Sequence, residues 1–229
     1  MKYLSGSALL LALLAAGCNS DSTATKTAAP AATAKAEAPV AKSQPTILFF
    51  GDSITAGLGV EPDEAYPALV EQKVDSLHLP YAVVNAGLSG ETTAGGRSRV
   101  NWVLSRQPVS VFVLELGGND GLRGLPLADT RKNLQAIIDT VRQQAPQAKI
   151  VLAGMQIPPN MGPAYAADFK KLYAETATKN HLVLIPFLLE GVGGISRLNQ
   201  RDGIHPTPEG HRLVARTVWR TLQPLLGKG

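Results

Sequence analysis

The chain has 229 residues, a single cysteine and a formal charge of +4. One cysteine cannot close a disulfide within the chain, so stability must come from a packed core. Residues 1–45 hold four lysines against Asp21 and Glu37, and the remainder holds 18 basic against 16 acidic side chains. With so even a balance and no Lys/Arg stripe interleaved with aromatics, a nucleic-acid surface is excluded.

Met1-Lys2 is a short positive start, and Leu4–Ala16 is an apolar run too short to span a bilayer as a helix. Leu14-Ala15-Ala16-Gly17-Cys18 then places small residues before the cysteine. This is the layout of a signal peptide, and it resembles the lipobox of bacterial lipoproteins, with Ala15 where leucine is more usual. That resemblance implies a diacylated Cys18 at the mature N-terminus and a membrane lipid anchor; plain secretion is the alternative. Asn19 after the cysteine resembles the outer-membrane rather than the inner-membrane pattern of enterobacteria. Residues 19–45, rich in Ala, Thr, Ser, Lys and Pro without apolar periodicity, read as a flexible tether. The expected organisation is therefore signal peptide 1–18, tether 19–45 and one domain, 46–229, exported to the periplasm or envelope.

The domain opens on Thr46-Ile47-Leu48-Phe49-Phe50, a buried strand that runs into Gly51-Asp52-Ser53. A serine just past a strand and before a helix sits in the usual crevice of an open α/β sheet, although Asp52 and Ser53 could simply cap that helix. Residues 61–77 carry Tyr66, Leu69, Val70 and Val74 at helical spacing. Tyr81–Asn85 reads as a short strand leaving through the small-residue loop Ala86–Thr92, and Thr93 onward turns helical through Val100 and Leu104. Val109–Leu116 is the clearest strand, its near-continuous apolar content suiting a central position, and it ends in Gly117-Gly118-Asn119-Asp120. Asp129 or Thr130 is expected to cap a helix with Leu134, Ile137, Ile138 and Val141 inward. Lys149–Met155 is a strand, 164–179 a helix burying Phe169, Leu172 and Tyr173, and Leu182–Pro186 a fifth strand. Thr207 as cap and Pro208 at the first position open a closing helix through Leu213, Val214, Val218 and Leu222. Strands alternating with helices imply a mostly parallel five-stranded sheet covered on both faces.

Chemistry-bearing residues gather where those strands end. Ser53 can attack, His205 can take its proton, and Asp202 can hold the imidazole from three residues upstream. The N–H groups of Ser53 and Gly90, with the amide of Asn119, can stabilise an oxyanion. Gly51-Asp52-Ser53, Gly90, Gly118-Asn119-Asp120 and Asp202-Gly203-Ile204-His205-Pro206 resemble the four blocks of the SGNH (GDSL-type) hydrolases. Glu115–Gly124, Ser89–Thr92 and Met155-Gln156-Ile157 resemble the bacterial periplasmic acyl-CoA thioesterase/lysophospholipase/arylesterase group. The resemblance implies a flavodoxin-like three-layer α/β/α fold and hydrolysis of aryl esters, acyl thioesters or lysophospholipids through an acyl-Ser53 intermediate. It gives Ser53, Asp202 and His205 catalytic roles and Ser53, Gly90 and Asn119 the oxyanion hole.

Leu122 and Leu125, followed by Ile157, are expected in an acyl groove, though 122–125 could equally be a plain lead-in to a helix. No Gly-x-Ser-x-Gly elbow surrounds Ser53 or Ser89, and Gly57-Leu58-Gly59 meets Pro62 where a dinucleotide fingerprint needs glycine. His205 and His211 lack a third ligand, so no metal and no cofactor are expected; His211 reads as a surface residue of the last helix. His78 and His181 lie at element edges, and Trp102 and Trp219 read as packing or surface residues. A monomer is expected. The rival readings are a carbohydrate O-acetyl esterase, disfavoured by 5% aromatic content, and an envelope lipoprotein that binds acyl chains without turnover.

Overall fold

The computed structural model describes residues 44–227; the expected signal peptide, Cys18 and the tether through residue 43 lie outside the described residues. Strand β1, Thr46–Gly51, is buried along its whole length. It is flanked on both sides, because the sheet runs β2-β1-β3-β4-β5, with β2 at Ala82–Gly87, β3 at Val109–Glu115, β4 at Lys149–Ala153 and β5 at Val183–Ile185. Every pairing is parallel. The chain steps outward from β1 to β2, then returns past β1 to lay down β3 on its other side. Strand order reverses there, and the crevice beyond the carboxyl ends of β1 and β3 is where such sheets hold ligands.

Side chains alternate along β1, so its apolar run feeds both faces. Phe49 meets Tyr66 edge-on, with centroids 5.4 Å apart; Tyr66 begins helix α2 (Tyr66–Ser76), which packs with α7 (Pro208–Leu222). Phe50 lies against Phe112 at 5.4 Å, on the face covered by α3 (Thr93–Leu104) and α5 (Leu127–Gln144). Helix α6, Pro163–Asn180, sits beside α5 and buries Phe169, Leu172 and Tyr173. Truncating a buried phenylalanine of this kind to alanine costs about 3–5 kcal/mol. Two short helices complete the set: α1, Ser53–Ala56, and α4, Gly118–Leu122.

Several local expectations are corrected. The span 61–77 is broken: a 3-10 turn at Pro62–Glu64 precedes α2, and Ala65 between them is extended. Pro67 lacks the N–H and has a ring that would clash with a carbonyl four residues back, so the helix cannot reach further upstream. Helix α5 begins at Leu127 after Pro126, not at an Asp129 or Thr130 cap; the Thr130 hydroxyl donates instead to Asp120 Oδ1 at 3.3 Å. His211 is fully buried rather than on the surface. It shares the inward stripe of Val214, Val218 and Leu222 and stacks on Tyr66 at 6.4 Å. His78 and His181 both have φ of +51° at helix ends, and Trp102 is exposed.

Candidate active site

The turn after β1 is shaped by its own side chains. Asp52 caps α1, its Oδ1 accepting from the Ile54 N–H at 3.0 Å, and this sets Ser53 at the first helical position. The Ser53 N–H has no helical carbonyl four residues earlier to bond, so it is free for a ligand. Behind the turn lies Glu115 at the end of β3, fully buried. Its Oε2 accepts from the Asp52 N–H at 3.1 Å and the Thr55 hydroxyl at 2.7 Å, while Oε1 has no partner. Burial, then the neighbouring Asp52 carboxyl, hold Glu115 well above the usual carboxylate range, which favours its neutral form. Burial also lifts Asp52, to about 6, against the pull of the Ile54 N–H and its other hydrogen bonds.

His205 comes from the loop between β5 and α7. Asp202 Oδ1 accepts from the N–H groups of Ile204 and His205 at 2.9 and 3.0 Å, folding the loop back on itself. Asp202 Oδ2 lies 2.7 Å from His205 Nδ1, and His205 Nε2 lies 2.8 Å from Ser53 Oγ. A carboxylate at Nδ1 requires the proton there, so Nε2 is the acceptor and Ser53 Oγ–H donates to it. Desolvation raises Asp202, but the His205 and Ile204 N–H groups and the imidazole together outweigh it, and the carboxyl falls to about 2. Gln200 ties this loop to the one after α1, its Nε2 donating to Leu58 O at 2.7 Å and Pro206 O at 3.0 Å.

The third side of the site is built by α4 and the loop after β2. Gly117, at φ +113°, turns the chain into α4, where an added Cβ would come within 2.3 Å of the Tyr173 hydroxyl. Asn119 Nδ2 donates to Glu91 O at 3.1 Å and Asp52 Oδ2 at 3.2 Å. Both amide hydrogens are thus engaged, and an oxyanion must compete with Asp52 for one of them. Gly90 has φ of +78° with open space around it, so backbone strain, not crowding, excludes other residues. Glu91 is held by Arg99, whose Nε and Nη2 meet the two carboxylate oxygens at 2.6 Å each. The same Nη2 donates to Ala86 O at 2.8 Å, and the guanidinium lies 4.1 Å from the Phe50 ring centroid.

Ser53, Gly90, Asn119 and His205 line one cleft of about 560 Å³, together with Leu122 and Ile157. Leu125 does not line it. Its N–H closes α4 onto Asp120 O and its carbonyl accepts from Tyr165, which turns the residue away. Met155, Pro158, Phe187, Leu189 and Ile204 also wall the cleft, and these sequence reasoning missed. Loop residues have no periodicity to betray a shared pocket. Glu115 was missed as well; its only signal in the sequence is that it is an acid closing an otherwise apolar strand, and its contacts to Asp52 and Thr55 lie 60 or more positions away.

The GDSL-like lipase/acylhydrolase family model matches residues 49–213. The esterase TesA of Pseudomonas aeruginosa is 41% identical over 79% of this chain and 89% of its own length. Thioesterase 1/protease 1/lysophospholipase L1 of Escherichia coli K12 is 35% identical over 79% of this chain and 85% of its own. A crystal structure of TesA superposes with a TM-score of 0.76 at 41% identity, covering 79% of this chain and 99% of that one.

Proposed function

The chain belongs to the GDSL-like lipase/acylhydrolase family, and from that premise we propose how this hydrolase of acyl esters works and on what. Ser53 Oγ attacks the acyl carbonyl as His205 Nε2 takes its proton, and Asp202 holds the imidazolium that forms. The N–H groups of Ser53 and Gly90 and the Asn119 amide take up the oxyanion, Asn119 turning one hydrogen from Asp52 as charge develops. His205 protonates the leaving alcohol or thiol, and the acyl-Ser53 ester remains. A water deprotonated by His205 then releases the acid. The observation that carries this reading is the hydrogen-bonded chain from Ser53 through His205 to Asp202, opening on a cleft walled by Ile54, Leu122, Met155, Ile157, Phe187 and Leu189.

Such walls offer apolar surface and few polar groups, so the acyl part is a medium or long alkyl or aryl chain rather than acetate. Aryl esters, acyl thioesters and lysophospholipids are the substrates in view, the last two in keeping with the name of the Escherichia coli relative, thioesterase 1/protease 1/lysophospholipase L1. The chain is exported and tethered to the envelope by a lipid on Cys18, as its apolar run and lipobox-like end indicate, and acts as a monomer.

The test is the full chain beside Ser53→Ala, with p-nitrophenyl esters and acyl-CoAs of rising chain length and a fluorophosphonate probe. Expected are covalent labelling of the wild type alone, a fall of at least 10³-fold in kcat with unchanged Tm, and an optimum at medium or long chains. An optimum at acetate overturns the substrate reading, and serine-independent turnover overturns the mechanism.

A further inference from the structure

Six large apolar side chains are exposed among the described residues: Leu58, Leu77, Leu88, Trp102, Leu122 and Ile195. Isolated examples are ordinary on any surface, but these are not distributed at random. Leu58 follows α1, Leu88 follows β2, Leu122 ends α4 and Ile195 stands in the loop beyond β5. These four belong to four separate loops at the carboxyl end of the sheet. Leu58 and Leu122 line the cleft, while Leu88 stands two residues before its lining residue Gly90 and Ile195 directly follows lining Gly194. Leu77 and Trp102 lie near the far ends of α2 and α3, at the opposite pole. The aliphatic side chains thus share the pole on which the cleft opens.

We infer that this rim docks on the acyl-chain boundary of a lipid bilayer, so that the esters entering the cleft come directly from the membrane. The inference goes beyond the ester-hydrolase reading and rests on it only for what enters the cleft. The acyl group does not need Leu88 or Ile195, which lie outside the cavity, yet both are as exposed as the cleft leucines, at 52% and 40%. Their free aliphatic surface is what a hydrocarbon boundary covers.

The chain outside the described residues names the same occupant. Its apolar run and Cys18 mark a membrane-directed end, and it joins the domain ahead of β1, at the pole opposite the mouth. Residues 19–45 extended at about 3.5 Å each reach roughly 90 Å, whereas β1 itself spans only about 20 Å. An anchor there leaves ample chain to pass the domain and turn its mouth to the bilayer. The rim carries charges of both signs, Arg123, Arg197 and Arg201 beside Glu61, Asp63, Glu64 and Glu209, with Arg197 and Glu209 paired, so no single-sign patch calls for anionic lipid.

The test uses the full chain reconstituted with phosphatidylcholine vesicles, and two substrates: soluble p-nitrophenyl acetate and a long-chain acyl ester of 4-methylumbelliferone dissolved in the bilayer. Leu88→Asp/Ile195→Asp is compared with Leu77→Asp/Trp102→Asp at the other pole. Expected is at least a tenfold loss on the bilayer ester for the rim pair, soluble turnover within twofold, and no such selective loss for the distal pair. Equal loss on both substrates, no loss, or the same selective loss from the distal pair overturns the proposal. Docking is also read without catalysis, by quenching of Leu88→Trp emission in a Ser53→Ala chain by bromoacyl phosphatidylcholine. Absence of added quenching overturns docking, while quenching without Ser53-dependent turnover removes the hydrolase mechanism and leaves docking standing.

Discussion

Among the described residues Glu115 occupies the least hospitable place for an acid, fully buried behind the Ser53 turn and with one oxygen facing no partner. As a neutral carboxyl it costs far less than a carboxylate there, and its Oε2 still fixes the Asp52 N–H and the Thr55 hydroxyl. Glutamine reproduces that neutral shape. Glu115→Gln is therefore expected to keep kcat within about threefold, whereas Glu115→Ala loses about tenfold or more and destabilises by about 1–3 kcal/mol through unsatisfied donors. Urea unfolding with steady-state kinetics checks both; equal damage from the two variants would show that Glu115 works as a carboxylate. The set Ser53, Gly90, Asn119, Asp202 and His205 was readable because each follows a recognisable chain event, a strand end or a turn into a helix. Glu115, Arg99 and the cleft walls became intelligible only through contacts distant in sequence.

At the level of elements, the strands were legible to within two residues at most ends, since a parallel strand covered on both faces is an apolar run stopped by glycine or proline. Helix α1 was legible only through its Asp52 cap, and α4 not at all. Four or five residues hold too little of a 3.6-residue period to leave a pattern, and both are held by caps and tertiary bonds instead. Helix α3 illustrates how an element can serve the site from a distance. Its Arg99 clamps Glu91, whose carbonyl anchors Asn119 beside Gly90. Arg99→Met keeps the stem over Phe50 but leaves the Glu91 carboxylate, only 6% exposed, without its partner. A loss of about 3 kcal/mol is expected, with kcat for a soluble ester down about tenfold and KM changed less than twofold. Converting Glu91 to Gln in the same chain should recover part of the stability, because the stranded charge is gone. A rise in KM without a fall in kcat would place the clamp's effect on binding rather than on the oxyanion donors.

Across the whole molecule, acid stability is set by groups that pull in opposite directions. His211 Nδ1 accepts the Tyr66 N–H at 3.2 Å, so a proton at that nitrogen would meet another donor. Burial, followed by the charge of His205, lowers its pKa from 6.5 to about 4. The unfolded chain then binds more protons between those values, and the folded state loses stability as pH falls through that window. Asp202, lowered to about 2, contributes stability above 3.8 that is lost below it; Asp52, raised to about 6, favours the folded state as pH falls from 6 to 3.8. The His211 contribution is isolated by difference: the destabilisation of His211→Leu relative to wild type should shrink by about 3 kcal/mol between pH 7.5 and pH 4. A pH-independent difference in denaturant unfolding would mean that His211 titrates alike in both states. The bond between Ser53 and His205 joins residues 152 positions apart, across a sheet in which every neighbour is reached by a crossover. Such topology folds slowly, with long-range contacts forming late. A chain still emerging from the ribosome therefore carries Ser53 long before His205 exists to meet it, and the hydrogen bond between them can form only once the last third of the domain is being made. The cleft is complete only where folding ends.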